Sequence, residues 1–174
     1  LWVHLLLRYL GTAVGVDAKG RLVKNQSKDF IERQKADKFE RNEELRQKRD
    51  AVFAQTSKDA QSSDHDTREA ASCMRLVQAT GVRPGSEKDT GADAQAYGAS
   101  TIQGKHVVGD AAGGVRLKFT GKKGVAIDIP VEDKAVAADL RRRRDVAGAD
   151  GKLFDTTDRK LQAYSHTLNG GGFK

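Results

Sequence analysis

Two lysines sit side by side at the tip of a strand-turn-strand pattern. In "VRLKFTGKKGVAIDIP", residues 115–130, apolar and polar residues alternate on either side of Gly121-Lys122-Lys123-Gly124, the period of strands with one face buried. A hairpin holds its tip more firmly than a free loop does, and two ammonium groups projecting from it suit a polyanion such as a phosphate backbone. The same pair also reads as a solubilising turn. Between Thr101 and Gly124 the cations Lys105, Arg116, Lys118, Lys122 and Lys123 face Asp110 alone, a net +4 of the chain's +7. That stretch is the strongest electrostatic footprint in the sequence.

Other chemistry-bearing residues are sparse. Cys73 is the one cysteine and lies beside Met74 and Val77 in a helical pattern, so it reads as a core residue in a chain suited to a reducing compartment, here the cytoplasm. His4, His65, His106 and His166 are scattered without metal-ligand spacing, and no metal site or other cofactor is signalled. The composition, 37% hydrophobic and 32% charged over 174 residues, is that of a soluble globular protein. An excess of seven positive charges with a pI near 9.6 favours an acidic partner such as nucleic acid. The opening "LWVHLLLRYL" is apolar but too short to span a bilayer and carries Arg8, so no membrane partner is expected. The lack of an initiating Met and the stop within "NGGGFK" suggest a fragment cut at both ends.

The elements that must position these residues follow from the pattern. Residues 2–16 read as two strands, and "DAKGR" at 17–21 as an exposed turn carrying Lys19 and Arg21. Ser27 is a good N-cap for a long helix to about Gln55, with Phe30, Ile31, Phe39, Leu45, Val52 and Phe53 as a sparse apolar stripe. Between Lys28 and Asp50 eight basic residues meet seven acidic ones, so this helix presents a solvated face rather than a DNA-binding stripe. "TSKDAQSSDHD", 56–66, reads as a polar linker; 67–80 is a second helix capped by Gly81; 84–100 is loop with at most a turn of helix. Three short strands then form an antiparallel meander from Lys105 to Val131, and helices follow over 132–144 and roughly 156–168. Arg141–Arg144 suit the negative end of the first of these, with DNA contact as the other reading. The fold class is α+β, mainly helical, with an N-terminal β-hairpin and a three-stranded antiparallel meander.

The order of these features resembles the viral and bacterial branch of the type IB DNA topoisomerases. "GVRPGSE" after a helix, then "YGASTIQGKHV", then "VRLKFTGKKGV" are similar to that family's Arg-x-Gly turn, its Gly-x-x-Thr-x-x-x-x-His segment and its Gly-Lys hairpin. "GVDAKGR" and "KADKFERNEEL" look like its upstream loop and following helix, and "LFDTTDRKLQAYSHTLNGGGFK" like the helix and Gly-Gly turn before its second catalytic arginine.

The resemblance implies relaxation of supercoiled duplex DNA through a 3′-phosphotyrosyl intermediate, without ATP or an obligatory metal, by a monomer associated with the nucleoid. Arg83 matches the first catalytic arginine, and Lys122 the lysine that protonates the leaving 5′-oxygen. Lys105 and His106 match a segment that lies against DNA; Lys123, Lys19 and Arg21 are further expected DNA contacts. The second arginine, the histidine and the nucleophilic tyrosine have no counterpart, so this chain is expected to bind DNA but not to react. The implied layout is a β remnant at 1–26, a helical connector and linker at 27–66, and the first half of a catalytic domain at 67–174. A non-enzymatic DNA-binding module and a tyrosine recombinase-like protein remain the alternatives.

Overall fold

The computed structural model describes residues 12–90, 95–110 and 113–168. The chain divides into two compact units, 1–48 and 49–174. In the first, strand β1 (Thr12–Val16) pairs antiparallel with β2 (Leu22–Gln26), Val16 opposite Leu22 and Val14 opposite Lys24. The turn between them is built by Asp17. One carboxylate oxygen accepts the backbone N–H groups of Lys19 and Arg21, both at 2.9 Å, and the other accepts Arg21 Nε at 2.8 Å. The hairpin therefore straddles the expected turn. Residues 22–26 are a strand that was not expected, and the first of the two strands read in 2–16 lies outside the described residues.

Helix α1 (Lys28–Asp59) starts where Ser27 predicts, the Ser27 hydroxyl accepting the N–H of Phe30 at 3.2 Å. The expected amphipathic stripe is not formed along its first turns: Ile31 is 38% and Phe39 74% exposed. Their spacing does not recur at three and four residues, so no continuous apolar face exists to be buried. The helix also runs past Gln55, which shortens the expected linker at 56–66 to residues 60–64. The polar composition there conceals a tertiary reason. Thr56 is fully buried, its hydroxyl donating to Val52 O at 2.7 Å and accepting the Gln78 amide at 3.1 Å.

The second unit is built around helix α2 (His65–Thr80), a one-turn α3 (Glu87–Thr90), the meander β3 (Val107–Gly109), β4 (Val115–Thr120) and β5 (Ala126–Pro130), then α4 (Lys134–Ala147) and α5 (Asp158–Thr167). Caps fix the helix ends: Asp64 accepts Thr67 N–H, Asp133 those of Ala135 and Val136, and Thr157 that of Lys160. At the other end of α2, Gly81 takes a left-handed φ of 69° and donates to Val77 O at 2.8 Å, the conformation that favours glycine. The strands pair in the order β3-β4-β5. Their alternation buries Val115 and Leu117 and leaves Arg116, Lys118 and Thr120 on the opposite face. Leu76, Ile102, Leu117 and Leu140 are fully buried together with Phe154, each such side chain contributing about 1.5–3 kcal/mol. Cys73 lies in this core, as expected, and burial pushes its thiol above the ordinary value of 9.0.

One arginine of the Arg141–Arg144 run is internal rather than a helix-end charge. Arg143 grips both carboxylate oxygens of Glu69 on α2 at 2.7 and 2.9 Å, Asp139 at 2.7 Å and the carbonyl of Leu153 at 3.0 Å, and stacks over Phe154. Glu69 also accepts the N–H of Asp155. The other three are engaged too, Arg141 by Gly113 O, Arg142 by Asp139 and Arg144 by Asp145. Because α4 continues to Ala147, only Arg144 of the run lies in its last turn.

Removing Arg143 strands a carboxylate that is 8% exposed as a residue, so Arg143→Ala is expected to destabilise the chain by about 3–5 kcal/mol in denaturant titrations. Arg143 holds Glu69 below its ordinary value of 4.5 although burial opposes this. The pair's contribution is therefore complete above 4.5 and fades as pH falls toward the lowered folded value. Glu69→Gln is expected to flatten that part of the stability profile.

Candidate nucleic-acid interface

The Arg83 turn is held against residues 99 and 100 by backbone hydrogen bonds. Ala99 N–H donates to Arg83 O at 2.8 Å and Ser100 N–H to Pro84 O at 2.7 Å. Between these bonds two glycines meet. A Cβ on Gly98 would lie 2.4 Å from Gly85 Cα and 2.6 Å from Arg83 O, and Gly85 itself has φ +90°. No other residue pair permits this approach. The Thr101 hydroxyl, which accepts Gly98 N–H at 3.0 Å, secures the second chain.

Residue 97 continues the same segment to the hairpin: Tyr97 N–H donates to Thr120 O at 2.8 Å. Immediately beyond, Gly121 N–H donates to Val125 O at 2.7 Å and closes the tip, with Lys122–Gly124 in a tight 3₁₀ turn. Lys123 sits at φ 64° and Gly124 at φ 74°, and a lysine in the left-handed region is strain retained by its surroundings. Residues 97–99 thus tie the Arg83 turn and the Lys122 hairpin to one short segment, although the two are remote in sequence. Arg83, Lys122 and Lys123 are all exposed and have no ion-pair partner among the described residues.

His106 is not a surface cation. It is 7% exposed, and its ring packs edge-on to Tyr97 at 4.3 Å and near Phe119 at 5.8 Å. Burial, aided by nearby Lys105, lowers its pKa to about 4. At neutral pH it is uncharged. Nδ1 accepts the N–H of Gln103 at 3.0 Å, so the ring proton resides on Nε2. Tyr97, His106, Phe119, Lys105, Lys118 and Asp128 line an open groove of about 640 Å³ beside the hairpin.

The basic footprint is partly neutralised within the fold. Lys105 is paired with Asp150 at 2.9 Å, while Arg116 and Lys118 share Asp128 at 2.8 and 3.3 Å. Lys19 and Arg21 lie in the first unit, Arg21 bound to Asp17 at 2.7 Å and Lys19 exposed. Sequence reasoning missed both neutralising carboxylates. Asp128 was findable, since antiparallel register about the Gly-Lys-Lys-Gly turn sets it opposite Lys118; Asp150, in a loop after α4, gives no such signal. Gly98 and Gly85 are each visible in the sequence motifs, but their close approach to one another is not.

These features define an α+β protein that fixes exposed cations on a turn and a hairpin joined through one backbone segment. The model of the eukaryotic DNA topoisomerase I catalytic core matches residues 27–171. The chain belongs to this family, the type IB topoisomerases, whose members act on DNA. No curated protein sequence matches it.

Gly98→Ala is expected to force backbone apart at the Arg83 turn and to cost about 1–3 kcal/mol in denaturant titrations. In a proton NMR titration the His106 ring is expected to stay neutral until pH falls to about 4. The stability linked to that burial is complete above the ordinary histidine value of 6.5 and is lost as pH falls through the folded value.

Proposed function

We propose that this chain carries the DNA-gripping part of a type IB topoisomerase catalytic centre, of the viral and bacterial kind its motifs resemble, with Arg83 and Lys122 directed at one phosphodiester of duplex DNA. The observation that supports this reading is the backbone path Arg83–Ala99 and Tyr97–Thr120, which ties the Arg83 turn and the Lys122 hairpin, each bearing an exposed cation without an ion-pair partner among the described residues, to one short segment. In the reaction a tyrosine oxygen bonds to phosphorus as the bond from phosphorus to the 5′-oxygen breaks. The Arg83 guanidinium offers forked donors to the non-bridging oxygens, where charge accumulates. Lys122 gives its proton to the departing 5′-oxygen. The 5′-hydroxyl later attacks the phosphotyrosine and restores the strand, so neither metal nor nucleotide is consumed.

Neither tyrosine among the described residues fits the role of nucleophile. Tyr164 is buried and donates to Asp59 at 2.9 Å, and burial first, then that carboxylate, raise its pKa from 10.0. Tyr97 is committed to packing on His106. On this reading the 174-residue chain is a monomer that binds duplex DNA through phosphates, without reacting, in the nucleoid. Its layout is the β remnant, connector and half catalytic domain read from the sequence. His106 then meets DNA as a neutral Nε2–H donor rather than as a cation.

Binding of a labelled duplex by the intact chain is expected to weaken with salt along a log–log slope of about −3 to −4. Arg83→Ala and Lys122→Ala should each make the slope shallower by about one, and a slope near zero for the parent chain would overturn the reading. A nicked suicide substrate is expected to yield no covalent adduct with this chain; an adduct at any of its tyrosines would overturn the assignment of the nucleophile elsewhere.

A further inference from the structure

We propose that Arg116 and Lys118, with Asp128 seated between them, form an additional phosphate-contact point that the chain keeps occupied by its own carboxylate until a DNA phosphate displaces it. The register sets Lys118 opposite Asp128, and Arg116 diagonally across, opposite Pro130. Each cation takes a different oxygen: Arg116 Nε meets Oδ1 at 2.8 Å and Lys118 Nζ meets Oδ2 at 3.3 Å. Two cations converging on two oxygens of one anion is also how a phosphate is held. The trio is open to solvent, its side chains being 33%, 54% and 49% exposed in the order Arg116, Lys118, Asp128, so an incoming anion can reach it.

Exchange costs little, because exposed ion pairs of this kind gain little in water and are screened by salt. The hydrogen bond from Arg116, with Lys118 beside it, holds the Asp128 carboxyl below its ordinary value of 3.8; at neutral pH it is a charged competitor. The position also suits a backbone already touching the hairpin. Lys118 lies near the end of β4 and Lys122 in the turn that follows it, and both Lys118 and Asp128 line the groove that His106 also lines.

The inference rests on the DNA-binding reading above, and the experiment separates the two. Intact parent, Asp128→Asn and Glu132→Gln chains are titrated with one labelled duplex over a range of salt, with thermal melts confirming folding. Glu132 is an exposed residue outside the trio whose substitution changes net charge by the same amount. Asp128→Asn is expected to bind about three- to tenfold more tightly than the parent at moderate salt, with a slope steeper by one to two as two cations become free to release counterions. Glu132→Gln should leave the slope unchanged. In an Arg116→Gln/Lys118→Gln background, Asp128→Asn should have no effect. Equal behaviour of Asp128→Asn and Glu132→Gln, or a gain that persists without the two cations, would overturn the proposal while leaving DNA binding intact. Failure of the parent chain itself to bind duplex would overturn the reading and the proposal together.

Discussion

The contact between Gly85 and Gly98 is the constraint on which the functional face depends. Backbone packed on backbone leaves no side chain to repack, so the Arg83 turn has one available position relative to residues 97–101. Everything downstream inherits that position. The same segment bonds to Thr120 through Tyr97 and supports the Tyr97 ring that packs on His106. A flexible guanidinium gains precision because its main chain is fixed by groups that cannot adopt another rotamer.

The Glu69–Arg143 pair performs a related task deeper in the unit. It connects α2, α4 and the chain entering α5 through one planar group with several acceptors. A buried ion pair offers limited net stability over an apolar replacement, but its loss is costly, so it acts on geometry more than on free energy. Polar groups at the surface follow a different rule. Lys105, Arg116 and Lys118 have carboxylate partners, whereas Arg83, Lys122 and Lys123 have none among the described residues. Net charge alone does not distinguish the two sets.

Legibility of the fold in the sequence followed the locality of the forces. Caps at Ser27 and Gly81 and the meander around Gly121-Lys122-Lys123-Gly124 depend on neighbours in the chain, and the structure has them where the pattern predicts. Long-range terms were hidden. Thr56 reads as linker until Gln78 is beside it, and Arg143 reads as a helix-end charge until Glu69 arrives from another helix. The neutral, enclosed state of His106 is equally invisible until Tyr97 and Phe119 pack against it. At the site, residue types were visible from motifs, but which cations are free was not, since pairing is decided by strand register and by the fold of distant loops.

The sealed position of Cys73 has a practical corollary. It is the one sulfhydryl in the sequence, and it has no exposed surface and a suppressed thiolate. Alkylating dyes therefore find no native handle on the folded polypeptide. A cysteine engineered at the hairpin tip would carry the sole reactive sulfur, giving a fluorophore or spin label an unambiguous address there without first deleting a core residue.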